Sequence, residues 1–172
     1  MDTIMVACYS HTGVSRRVAQ LLCSHNGWPL GEITEARGGR GNGRCVLDSL
    51  LRRRPAIRYQ GPDPADFRTV VLVSPIWMYR LAGPMRSFVA QHRQALGRVV
   101  VVSTMNSGGA SNAAGEIAHW LGHGLVEAAA FTQREIEDGS GTARLLAFGE
   151  ALQPGSTATQ RTRQPAWTAP AA

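Results

Sequence analysis

The stretch Ile4-Met5-Val6-Ala7-Cys8-Tyr9-Ser10-His11-Thr12-Gly13-Val14-Ser15 decides the fold. Its apolar opening, Ile4 to Ala7, is too short and too β-branched for an isolated helix and reads as a strand. Small hydroxylated residues around one glycine then end it. From Val14, apolar side chains recur at Val18, Leu21 and Leu22, whereas Arg16, Arg17 and Gln20 fall on the opposite side, which is the helical period. That helix closes near Asn26-Gly27. Strand, polar loop and helix in direct succession open an α/β fold.

The pattern repeats downstream. Leu30 to Ala36 reads as a second strand, and the glycine-rich residues 37–44 as a mobile loop. A helix is expected from Cys45 to Arg54, with Pro55 as its stop. Val70 to Val73 is apolar throughout, as the middle of a parallel sheet requires, and the residues from Pro75 to Gly83 read as a loop. Pro84 stands at the first turn of the next helix, whose buried face is Met85, Phe88, Val89, His92 and Leu96. Val99 to Ser103 is a fourth strand, followed by a loop over 104–112 and a helix from Ala113 to Gly122. A last strand within Leu125 to Thr132 and a helix from Thr142 to Leu152 complete the pattern. Alternating strands and helices imply right-handed crossovers, so the expected fold is a doubly wound, five-stranded parallel sheet with helices on both faces. The domain is expected to span residues 1–152. Residues 153–172, rich in Pro, Thr, Gln and Ala without a period, are expected to be a disordered tail.

Composition narrows the function. All 18 basic residues are arginine, and a chain without lysine cannot form a Walker A phosphate loop. Between Arg37 and Arg58 stand seven arginines and one aspartate, so the formal excess of +6 sits entirely in that segment. It lacks interleaved aromatics, which disfavours nucleic-acid binding, and an acidic partner accounts for it more simply. Three cysteines without a CxxC pair argue for reduced thiols. With no signal-peptide pattern and no apolar run of roughly 20 residues, a cytoplasmic protein without a membrane span is expected.

In a doubly wound sheet, ligands sit beyond the carboxyl ends of the strands where the strand order reverses. Three loops fall there. Ser10, His11, Thr12, Gly13, Val14 and Ser15 precede a helix start, whose amides and dipole favour a phosphate. A C-x5-R phosphatase loop counted from Cys8 would place arginine where Val14 stands, so that chemistry is disfavoured. Pro75, Ile76, Trp77, Met78 and Tyr79 offer two aromatics on which a planar ring could stack. Thr104, Met105, Asn106, Ser107 and Gly108 are small or polar and allow a flat ligand to approach. His119 and His123, four apart, lack the glutamate of an HExxH metal site.

In order and spacing, these three segments resemble the flavodoxin-like family of FMN-binding proteins. They are Tyr9 to Ser15, Ser74-Pro75-Ile76-Trp77 with Gly83-Pro84 and Phe88, and Thr104 to Gly109. The resemblance covers residues 2–152 and implies the strand order 2-1-3-4-5 and noncovalent FMN. Ser10, Thr12, Gly13 and Ser15 would then hold the phosphate. Trp77 and its neighbours would flank the isoalloxazine, and Met105, Asn106, Ser107 and Gly108 would meet its pyrimidine edge. The chain departs from the pattern at Val14, where the family has Asn, and at Met78-Tyr79, where electron-carrying members have a flexible Gly- or Asn-containing peptide suited to one-electron chemistry. It is also basic where those carriers are acidic. Two functions follow: an electron-transfer flavoprotein serving a redox partner, or an NAD(P)H-dependent FMN quinone reductase acting on a quinone-like molecule.

Overall fold

The chain is described here by a computed structural model covering residues 3–36, 54–106, 109–122 and 127–153. The opening run forms β1 (Ile4–Tyr9), buried at every position, and the polar loop leads into α1 (Val14–Asn26). Gly27 ends α1 in the left-handed conformation, with its N–H donated to the Cys23 carbonyl at 2.8 Å, a glycine stop of the usual kind. Next come β2 (Leu30–Glu35), β3 (Ile57–Gln60), a single 3-10 turn at Pro64–Asp66, and β4 (Thr69–Trp77). β5 (Arg80–Leu81) folds back on β4 and precedes α2 (Gly83–His92). The chain continues through β6 (Arg98–Met105), α3 (Ala110–Leu121), β7 (Glu127–Thr132), α4 (Gln133–Glu137) and α5 (Thr142–Ala151).

The sheet has seven strands, six of them in the order β3-β2-β1-β4-β6-β7, with β5 paired to β4 alone. This corrects the expected five-stranded, wholly parallel sheet. β2, β1, β4, β6 and β7 are parallel to their neighbours, but β3 runs antiparallel against β2 and β5 antiparallel against β4. β3 forms because Ile57 and Tyr59 alternate with exposed Arg58 and Gln60, the period of a half-covered edge strand. The expected loop from Pro75 to Gly83 is also revised: β4 continues through Trp77, and Arg80 pairs back onto it across a two-residue turn. The helix expected over 45–54 lies outside the described residues except at Arg54, and most of the expected tail lies outside them too. Gln153 is described and donates its amide to Asn26 Oδ1 at 2.8 Å.

Alternation along the strands divides the core in two. Met5, Ala7 and Tyr9 of β1, with Val70 and Leu72 of β4, pack against Met85, Phe88 and Val89 of α2 and Ile117 of α3. Ile4, Val6 and Cys8, with Val71 and Val73, pack instead against Val18 and Leu22 of α1, Ile136 of α4 and Leu145 of α5. Helices therefore cover both faces, and burial of a Val or Leu side chain contributes about 1.5–3 kcal/mol. Truncating fully buried Leu72 to alanine costs about 2–5 kcal/mol by the same reasoning. His92, expected on the buried face of α2, is half-buried between Tyr59 and Phe88, and burial lowers its pKa.

Candidate functional site

Parallel pairing sets the carboxyl ends of β1, β4 and β6 side by side. Cys8 stands in register with Val73, and Pro75 with Thr104. The loops that leave these ends are therefore neighbours, although nearly a hundred residues separate the first from the last.

The first loop turns into α1 through Gly13, whose φ of 97° is costly for any residue with a β-carbon. Its N–H is donated to Ser10 Oγ at 3.1 Å, which folds the loop back on itself. Among the described residues no side chain caps the first turn of α1, and no acidic residue lies in that turn. Its amides thus point at the space over His11, Thr12 and Gly13, all three exposed. Ser15 is different. It is buried, and its hydroxyl shares a 2.6 Å hydrogen bond with the Thr104 hydroxyl at the end of β6. That bond ties the first loop directly to the third. Beneath them Cys8 is buried, and burial first, then the Glu32 carboxylate, pushes its thiol up to about 12. Cys8 is a packing residue, not a thiolate nucleophile.

Trp77, the last residue of β4, meets the first loop edge-on. Its ring centre lies 5.5 Å from that of His11 and 6.0 Å from that of Tyr9, both nearly perpendicular. Tyr9 in turn donates its hydroxyl to Glu35 at 2.9 Å. After Trp77 the chain reverses through Met78 and Tyr79, with φ of 48° and 62°. Positive φ at both central residues is the signature of a type I′ hairpin, normally built from Asn and Gly. Both side chains are 57% exposed, the large hydrophobic residues that stand out on the described surface. Gly109, at φ 99°, lies against this turn: a β-carbon there would come within 2.5 Å of the Tyr79 Cα. Glycine is required, and it lets the second and third loops touch.

The structure brings Ser10, His11, Thr12, Gly13, Val14 and Ser15 together with Trp77 and Thr104. Pro75 and Ile76 lie within β4 and Met105 ends β6, while Asn106 is exposed just beyond it. Ser107 and Gly108 lie outside the described residues. Sequence reasoning placed Gly109 in the third segment but did not foresee its close approach to Tyr79. It passed over Arg86, fully buried in the first turns of α2, where it pairs with Glu116 of α3 at 2.7 Å. Periodicity could not mark Arg86, which falls off the Met85, Phe88 and Val89 face; it is buried because every residue from Gly83 to Val89 is.

No protein-family model matches the chain, and no curated protein matches it. Solved structures do. A flavoprotein of Lactobacillus acidophilus NCFM, crystallised in complex with FMN, is 18% identical at a TM-score of 0.67, covering 81% of this chain and 99% of its own. The apo-form of the flavoprotein from that organism, determined by NMR, gives 0.61 at 18% identity and covers 76% and 92%. Oxidised Flavodoxin 2 of Bacillus cereus gives 0.56 at 16% identity and covers 87% and 96%. Parallel strands in this order, wound by helices on both faces, and likeness to these structures over nearly their whole length give the chain the flavodoxin-like fold.

Proposed function

We propose that this chain is a flavoprotein that holds FMN noncovalently and transfers electrons through it. The observation that carries this reading is the uncapped start of α1, opened by left-handed Gly13 beside exposed Thr12 and facing Trp77 across the strand ends. A phosphate monoester suits that start, because amide N–H groups and the helix dipole favour an anion there. Ser10, His11, Thr12, Gly13, Val14 and Ser15 hold the phosphate, the last two through their backbone amides. Pro75, Ile76, Trp77, Met78 and Tyr79 flank the ring, and Thr104, Met105, Asn106, Ser107 and Gly108 line its polar edge. FMN bound in complex with the Lactobacillus flavoprotein supports the same assignment.

When bound, the flavin supplies reversible electron transfer, and the protein supplies position and field. The Ser15–Thr104 bond fixes the phosphate end relative to the ring end. Trp77, held edge-on by Tyr9 and His11, keeps one aromatic face in place. Arg80, half-buried in β5, adds positive charge near the ring and eases accumulation of negative charge there.

The hairpin bears on the choice between carrier and reductase. Reversing its central peptide converts a type I′ turn into type II′, whose first central residue is typically glycine. Met78 resists that change, so the turn is held in one state, which favours the NAD(P)H-dependent FMN quinone reductase. The arginine excess between Arg37 and Arg58 suits an acidic redox partner if the chain is instead a carrier. Reconstitution with FMN, followed by anaerobic reductive titration and NADH or NADPH oxidation assays with a quinone, tests both. Absence of flavin binding refutes the assignment. Turnover with a quinone selects the enzyme, and a stable one-electron state selects the carrier.

A further inference from the structure

The outer face of α3 borders two neighbouring hollows that share His119 and Trp120 in their walls. The larger, about 610 Å³, is walled by Tyr79 and Arg80. The smaller, about 330 Å³, is lined by Arg54 and Arg93. Both volumes fall within the range of small-molecule sites, and no described residue of the 10–15 loop lines either. Glu116 is the one carboxylate among the described lining residues, and both its oxygens are taken by Arg86, at 2.7 and 3.3 Å. Arg86 is fully buried and Glu116 only 14% exposed, so the two charges of that close pair largely offset each other at the wall of the hollow. Among the described lining residues, three guanidinium groups then carry the net charge.

Their walls are also aromatic. The Arg54 guanidinium lies 5.0 Å from the centre of the Trp120 ring. A guanidinium resting on an aromatic face keeps its in-plane N–H groups for an anion. Tyr79, more than half exposed, offers a second ring at the other end. A simple anion needs no aromatic walls, and a neutral ring needs no arginines.

We propose that these neighbouring hollows bind a small aromatic anion, a planar ring bearing a carboxylate or a phosphate, across their shared wall. The acid lies between Arg54 and Arg93, and the ring lies along Trp120 and Tyr79. The site uses none of the phosphate-loop residues but shares Tyr79 and Arg80 with the proposed ring site, so the titration is made with FMN in excess.

Calorimetric titration of the full chain, with excess FMN present, tests it. The probes are 2-naphthoate and AMP, with inorganic phosphate and adenosine as controls. At least one of the two acids is expected to bind with a dissociation constant of roughly 1 mM or lower. Arg93→Glu, at an exposed position, is expected to weaken that binding by about tenfold or more, and Trp120→Leu to weaken it as well. Arg134→Glu, on α4 over the opposite face of the sheet and 93% exposed, is expected to leave it unchanged. Binding of naphthoate alone identifies a carboxylate ligand, and binding of AMP alone a phosphate. The proposal is overturned if neither acid binds, if inorganic phosphate or adenosine alone binds as well, or if Arg93→Glu binds like the parent. It is equally overturned if Thr12→Glu abolishes AMP binding, which would place the nucleotide in the first loop. Should Trp120→Leu fail to fold, Arg93→Glu carries the test alone.

Discussion

Replacing Met78-Tyr79 by Asn-Gly should make the protein more stable. Both residues sit at positive φ, 48° and 62°, where a β-carbon crowds the following carbonyl at roughly 1–2 kcal/mol per residue. Glycine at 79 removes that cost but adds conformational freedom to the unfolded chain, worth about 0.5–1 kcal/mol. Asparagine at 78 removes only part of it. Little burial is forfeited, because each side chain is 57% exposed. The net gain is therefore about 1 kcal/mol, equivalent to roughly 2–4 °C in Tm for a chain of this length. Urea unfolding should show a higher midpoint at unchanged slope. The control is Met78→Ala with Tyr79→Ala, which deletes the same side chains but leaves both β-carbons, and it should bring no gain. An Asn-Gly variant no more stable than this control would refute the claim that the turn is strained.

Thr12→Glu should abolish FMN binding without unfolding the chain, since a carboxylate at that exposed position repels phosphate at the helix start; flavin fluorescence titration beside circular dichroism measures both. Ser15→Ala and Thr104→Val should each cost about 1–3 kcal/mol by leaving one buried hydroxyl unpaired, and the double variant should cost less than their sum. Glu135 closes a capping box with Thr132 and bonds Arg144, which holds its folded pKa below the ordinary value against a desolvation that raises it. Its contribution is therefore present above the unfolded carboxylate pKa and is lost as pH falls through the lower folded value. Glu135→Gln should consequently destabilise the protein at pH 7 and be nearly neutral at strongly acidic pH, by denaturant titration at both.

Much of this architecture was legible because its signals are local. Val70 to Val73 is apolar without interruption because both faces of β4 are covered, and the 3.6-residue period that begins after Gly13 marks the start of α1. The hairpin was illegible for the opposite reason: Met-Tyr is poor turn chemistry, and pairing of Arg80 with Trp77 overrides it. β3 escaped because four residues after a proline carry little weight until β2 is there to pair with them. The capping box of α4, Thr132-Gln133-Arg134-Glu135, was readable and was overlooked. In the site, the loops could be found from composition, but their contacts could not. The Ser15–Thr104 bond and the Gly109 approach to Tyr79 join residues 89 and 30 positions apart, and only the sheet brings them together.

The antiparallel edge strand β3 bears on how the molecule behaves in a crowd. A parallel sheet ending at β2 would present a row of unpaired N–H and C=O groups, a template on which another chain could polymerise. β3 occupies that row over Glu32 to Glu35 and replaces it with an edge only four residues long, broken at once by Gly61-Pro62. Arg58 and Gln60 project outward from it, so an approaching strand meets a charge and then a proline. Deleting residues 57–60 would on this account reveal itself first as filament formation or precipitation, ahead of any change in the ligand loops at the carboxyl ends of the strands.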